Sequence, residues 1–117
     1  MEKMIASERQ QKALEYAVEA IKKSPVLPYV EALYLYGSCA RGEEKWDSDV
    51  DLFMEMRTNF LERKDLREAI RMLPFNVKLN SYREATVDLK IMVGNGWKQS
   101  KMLFYEDIRE EGIKICI

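Results

Sequence analysis

The sequence predicts an α+β domain, a mixed β-sheet flanked by helices. Three observations predict it. Apolar runs rich in β-branched and aromatic residues occur at 30–36, 49–56 and 86–93, as strands require. Segments with apolar residues at helical spacing lie around them, at 7–24, 59–73 and 98–110. Strands and helices that alternate in this way need crossover connections, which lay the helices against the sheet.

Each element has a local reason. In the helix expected at 7–24, Ser7 and Gln10 form a capping box, and Leu14, Ala17 or Val18, and Ile21 make one apolar stripe. Lys22 and Lys23 suit the negative end of its dipole, and Pro25 forbids continuation. Pro25 and Pro28 mark a connector. The strand at 30–36 is apolar on both faces, as a central strand is. Its Tyr34 and Tyr36 serve either core packing or stacking on a base. Residues 37–48 open as a short helical turn and continue as an exposed, mobile loop, where Trp46 either covers a metal site or plugs the edge of the core. A second strand follows at 49–56. In the helix expected at 59–73, Asn59 is the N-cap, Leu66, Ala69, Ile70 and Leu73 face inward, Lys64 pairs with Glu68, and Pro74 is the stop. Residues 76–79 read as a short extended piece and 80–82 as a turn. The strand at 86–93 is closed by Gly94, Asn95 and Gly96. The helix at 98–110 carries Trp97, Phe104, Tyr105 and Ile108, with Gly112 as its C′ residue. Ile113, Ile115 and Ile117 then alternate as a short terminal strand with one buried face.

Composition narrows the chemistry. A chain of 117 residues, 47% apolar, fits one domain spanning 1–117. Its 19 basic and 20 acidic residues give a net charge of −1, so direct binding to a nucleic-acid backbone is not expected. Histidine is absent, which removes imidazole base chemistry and most zinc sites. Cys39 and Cys116 are too few for a disulfide framework and read as free thiols of a reducing cytoplasm. The N-terminus lacks the apolar core of a signal peptide, and no run approaches the roughly 18 apolar residues of a membrane span.

Residues 33–53, LYLYGSCARGEEKWDSDVDLF, concentrate small residues and carboxylates between apolar runs. Asp49 and Asp51 stand at alternate strand positions, so they share a face about 7 Å apart. Two such carboxylates raise each other's pKa unless a positive charge sits between them. Oxygen-only ligands favour Mg²⁺, which takes one or two carboxylates plus substrate phosphates. Two such ions about 4 Å apart clamp the attacking and leaving oxygens of a phosphoryl-type transfer. Gly37 lets backbone approach a ligand closely, Ser38 offers a hydroxyl and N–H where a short helix begins, and Arg41 adds a charge suited to phosphate. A carboxylate at Asp88, mid-strand among apolar neighbours, is costly unless partnered. It either pairs with Lys90 on its own face or projects toward Asp49 and Asp51. At average residue usage, Gly-Ser, ten residues, then Asp-x-Asp arises in such a chain on the order of once in a thousand.

The pattern G-S-x10-D-x-D, here Gly37-Ser38 to Asp49 and Asp51, resembles the signature of the DNA polymerase β-like nucleotidyltransferase superfamily. The longer string GSCARGEEKWDSDVDLF resembles its minimal nucleotidyltransferase branch, many members of which are antitoxin partners of HEPN-domain RNases. The resemblance implies the nucleotidyltransferase core. It implies Asp88 as the third acidic residue, with Asp49, Asp51 and Asp88 holding two Mg²⁺ ions. Gly37 and Ser38 are then implied to hold the triphosphate of ATP. It further implies transfer of AMP to a tyrosine hydroxyl of a HEPN RNase toxin, silencing it as a type VII antitoxin does. Cys39 departs from the basic or polar residue frequent at its position. Because the fold is used up by residue 117, the acceptor is expected on another chain. Two other readings stand: a non-catalytic antitoxin that masks its partner, and transfer to a small molecule such as an aminoglycoside.

Overall fold

Alternation along the strands sorts the side chains onto two faces, and each face acquires its own core. The structure, a computed structural model, describes residues 1–79, 81 and 83–117. In chain order it contains α1 (Glu8–Lys23), β1 (Val30–Tyr36), α2 (Ser38–Arg41), β2 (Val50–Met56), α3 (Arg67–Asn76), β3 (Val87–Val93), α4 (Leu103–Glu111) and β4 (Ile113–Ile115), with short 3-10 turns between. The strands form one sheet in the order β3-β2-β1-β4. β1 is antiparallel to both β2 and β4, whereas β2 and β3 are parallel. A parallel pair needs a crossover, and the segment containing α3 supplies it. The mixed sheet flanked by helices is the architecture that the sequence predicts.

One face carries Leu33, Leu35, Leu52, Met54, Val87 and Leu89, packed against α1 and α3 through Leu14, Ile21 and Leu73. The other carries Tyr34, Tyr36 and Phe53, which meet Trp97, Phe104 and Ile108. Phe53 sits edge-on to Trp97 at 5.0 Å and to Phe104 at 6.2 Å. Tyr34 meets Trp97 at 5.5 Å and Tyr36 meets Phe104 at 5.6 Å, so both tyrosines are spent on packing rather than on a base. Such pairs add about 0.5–1.5 kcal/mol each beyond area burial. Below this cluster lies Glu55, only 5% exposed, whose Oε1 accepts a 2.6 Å hydrogen bond from Trp97 Nε1. Trp97→Phe keeps the ring but strands a buried carboxylate oxygen. It is expected to lower stability by about 1–3 kcal/mol in urea unfolding.

Several elements depart from their expected form. Ser7 is the N-cap of α1 but makes no side-chain cap bond; its hydroxyl donates to Gln10 Oε1 instead. The capping box fails because the Gln10 amide is drawn elsewhere. It donates to the carbonyls of Lys45, Trp46 and Ser48 at 3.0, 3.2 and 3.3 Å. Those bonds pin the loop that was expected to be mobile. Trp46 is 72% exposed, with Arg9 over its ring at 4.3 Å, so it does not plug the core.

The helix expected at 59–73 is broken into 3-10 turns at Thr58–Glu62 and Lys64–Leu66 before α3 begins. Asn59 is therefore not a cap. The break falls at Arg63, whose guanidinium donates to Asp65 at 2.9 and 2.7 Å and to the Tyr29 hydroxyl. Pro74 lies inside α3 rather than ending it, and Glu68 pairs with Arg71, not Lys64. The extended piece expected at 76–79 does not form, since Asn76 ends α3 and Val77 remains in the helical region. Asn80 and Tyr82 of the expected turn lie outside the described residues.

Trp97 sits on the 3-10 turn Gly96–Lys98, and α4 begins only at Leu103. Arg109 accounts for the delay: it donates to the carbonyls of Trp97 and Ser100, holding the connecting segment off a helical path. Gly112 caps α4 in an extended rather than left-handed conformation, at φ −64°. A Cβ there would stand 2.4 Å from the Ile108 carbonyl oxygen, so close approach is what demands glycine. In the terminal strand only Ile115 is buried; Ile113, at the start of β4, and Ile117, beyond its end, are each 40% exposed.

Candidate active site

The site begins where β1 runs out. Gly37 takes φ +76°, a region that only glycine enters without strain, and the chain turns into α2. The Gly37 carbonyl accepts from the N–H groups of Ala40 and Arg41 at 3.0 and 3.2 Å. A Cβ on Gly37 would stand 2.4 Å from Asp51 Oδ2. The glycine therefore makes the turn and also leaves the space that a carboxylate occupies.

Strand register does the rest. Tyr36 is opposite Asp51, and Asp51 is opposite Asp88. The three form a row across β1, β2 and β3 on the face that α4 covers, with adjacent strands about 4.8 Å apart. Asp49 is exposed and stands just before β2; its carbonyl accepts from the Cys39 thiol at 3.4 Å. Of the two readings the sequence left Asp88, the pairing with Lys90 is present, and of the two other acids the register places it opposite Asp51. It stands beside Asp51, and its Oδ2 accepts from Lys90 Nζ at 3.0 Å, with the Asp88 side chain 45% exposed. Arg41 donates to Glu43 at 2.6 Å and to both carboxylate oxygens of Glu111 at 3.0 and 3.1 Å, which ties α2 to the end of α4.

The electrostatics follow from this crowding. Burial, then the charges of Asp88 and Asp49, push the Asp51 carboxyl up to about 6, against the pull of Lys90 and Arg41. Burial and the charges of Asp51 and Asp88 also raise the Tyr36 hydroxyl, so it stays protonated. Burial, with Glu44 and Asp51 nearby, pushes the Cys39 thiol up to about 11, leaving it neutral and unreactive. Asp51 binds its proton more tightly folded than unfolded. Its contribution to stability is therefore full below about pH 4 and is lost as pH rises through about 6. A melting-temperature profile is expected to show this decline from pH 4 to 6, and Asp51→Asn to flatten it.

The fit to a metal rests on this donor set. Among the described residues no three carboxylates converge closely enough to form a metal site by themselves. The acids nevertheless offer only oxygen, and repulsion among Asp49, Asp51 and Asp88 already shows at Asp51. A hard cation that takes one or two carboxylates and completes its shell with phosphate oxygens fits this set. Of the residues singled out in the sequence, the structure brings together Gly37, Asp51 and Asp88, keeps Asp49 at the rim, and engages Arg41 with acidic partners. The roles of Glu43 and Glu111 had no signal in the sequence. A hollow between the N-terminal residues, α1 and β4 lies elsewhere and holds none of these acids.

A mixed sheet with carboxylates aligned on neighbouring parallel strands beside a glycine turn suits phosphoryl or nucleotidyl transfer. Residues 18–116 match the family model "Polymerase beta, Nucleotidyltransferase", and the chain belongs to that family. Its general chemistry is nucleotidyl transfer. The fold is similar to the solved structure of a candidate nucleotidyltransferase from Sulfolobus solfataricus. That match has 20% identity and a TM-score of 0.57, covering 92% of this chain and 82% of that one. No curated protein matches the chain. No helix among the described residues is long and apolar enough to cross a membrane.

Proposed function

We propose that this protein transfers AMP from ATP to a tyrosine hydroxyl of a HEPN-domain RNase and so acts as its antitoxin. The observation that carries the proposal is the in-register placement of Asp51 and Asp88 beside the Gly37 turn. In this reading Asp49, Asp51 and Asp88 would hold two Mg²⁺ ions together with the substrate phosphates, and the Gly37-Ser38 turn with Arg41 would bind the triphosphate. When bound, the metal neutralises phosphate charge and supplies Lewis acidity at the α-phosphorus. In this reading Asp88, whose Oδ2 accepts from Lys90, takes the acceptor's proton. The acceptor oxygen bonds to the α-phosphorus, the bond to the bridging oxygen breaks, and pyrophosphate leaves. The exposure of Asp49 and Asp88 supports an acceptor as bulky as a protein side chain. The HEPN partner is supported by the resemblance of GSCARGEEKWDSDVDLF to minimal nucleotidyltransferases. A reducing cytoplasm suits the two free thiols, Cys39 and Cys116.

The test is incubation with α-labelled ATP, Mg²⁺ and a purified HEPN RNase. Label on the RNase and loss of its activity are expected. An unlabelled RNase that still cuts overturns the proposal. One observation favours a second reading, a non-catalytic antitoxin that masks its partner. The three acids do not converge, and Asp88 is already paired with Lys90. Neutralisation that persists in an Asp49→Ala, Asp51→Ala double variant supports masking.

A further inference from the structure

The acid row carries a cation that belongs to the chain itself. Lys90 lies two residues along β3 from Asp88 and shares its face, with Nζ 3.0 Å from Asp88 Oδ2. Its charge also acts on Asp51, ahead of Arg41 in opposing the repulsion there. Arg41, by contrast, is engaged by Glu43 and Glu111. The Lys90 side chain is 48% exposed on a flexible four-carbon stem, so it can swing away from Asp88 without unpacking a core. An exposed ion pair of this kind is weakly held.

We infer that Lys90 is a resident counter-cation, which neutralises the Asp51–Asp88 row when no divalent ion is bound and is exchanged for that ion. The inference rests on the metal-dependent reading above. A divalent ion on Asp88 and an ammonium at hydrogen-bond distance from the same oxygen repel each other, so the two compete for one place. Exchange keeps the row from standing unneutralised at any stage. It also makes metal affinity a property that Lys90 tunes.

The experiment titrates Mg²⁺ into the protein without nucleotide, following heat of binding and melting temperature, for the wild type, Lys90→Met and Lys90→Arg. Lys90→Met is expected to bind Mg²⁺ about three- to tenfold more tightly. It is also expected to melt lower than the wild type without metal and to regain the difference when Mg²⁺ is added. Lys90→Arg, which keeps the charge, is expected to stay close to the wild type. Equal Mg²⁺ affinity in the wild type and Lys90→Met overturns the exchange but leaves the metal-dependent reading standing. Weaker binding by Lys90→Met also overturns it, since Lys90 then serves to position Asp88. No Mg²⁺ binding by any of the three overturns the inference, and no Mg²⁺ binding even with ATP present overturns the metal-dependent reading as well.

Discussion

Asp51→Asn is expected to reduce nucleotidyl transfer by at least about a thousandfold while leaving the folded protein as stable as before or more so. The two effects have one cause. Asp51 is the most crowded of the three acids, half-buried at the centre of the row, with its carboxyl pushed up to about 6 by burial and by Asp88 and Asp49. Holding it ionised at pH 8 therefore opposes folding. Discounted for its partial exposure, that cost is on the order of 1 kcal/mol. Asparagine keeps the shape beside Gly37 and removes the charge. The gain is read by urea unfolding at pH 8, and the loss by turnover of labelled ATP. An Asn variant that keeps more than a small fraction of activity removes Asp51 from the chemistry. One that unfolds more easily shows instead that the carboxylate is a structural anchor.

Gly37→Ala is expected to damage both the fold and the site. The added Cβ meets Asp51 Oδ2 at 2.4 Å, and φ +76° is strained for any L side chain. Strain of this kind costs about 1–3 kcal/mol. The carboxylate must also move, and a displacement near 1 Å costs about a hundredfold in rate. Unlike Asp51→Asn, this variant loses stability and activity together. Restored stability in Gly37→Ala combined with Asp51→Gly identifies the collision as the source. An Ala variant with unchanged melting temperature shows that the turn has room the geometry denies.

The parts of the site legible in the sequence are those that lie close together along it. Gly37, Ser38, Asp49 and Asp51 fall in one stretch, where alternation and turn chemistry speak directly. The strand at 30–36 was legible because its run of apolar residues admits no helical stripe. What alternation does not reveal is which strands are neighbours, or in what direction they run. Asp88 thus kept two readings until the parallel register with β2 put it beside Asp51. The misread helices share one cause. The pattern at 59–73 is amphipathic throughout, yet Tyr29 and Asp65 hold Arg63 out of helical geometry. Likewise Arg109 takes the carbonyls that would have begun α4 earlier. Tertiary bonds from distant side chains overrode local propensity in both places. The tie from Arg41 to Glu111 was not legible, because nothing in the neighbourhood of Arg41 along the chain announces Glu111.

The parallel pairing of β2 with β3 has a consequence for how the molecule comes into being. β1 and β2 are antiparallel and joined by a shorter connection than β2 and β3, so loop closure sets Gly37 against Asp51 at the lower entropic cost. Asp88 arrives only when the long excursion through α3 has delivered β3 to the sheet, a non-local event that slows folding. A nascent or half-formed chain then holds the glycine seat and one carboxylate without the other. Under the proposed reading, a molecule that has not yet paired β3 with β2 lacks the complete acid row and is expected to be inactive.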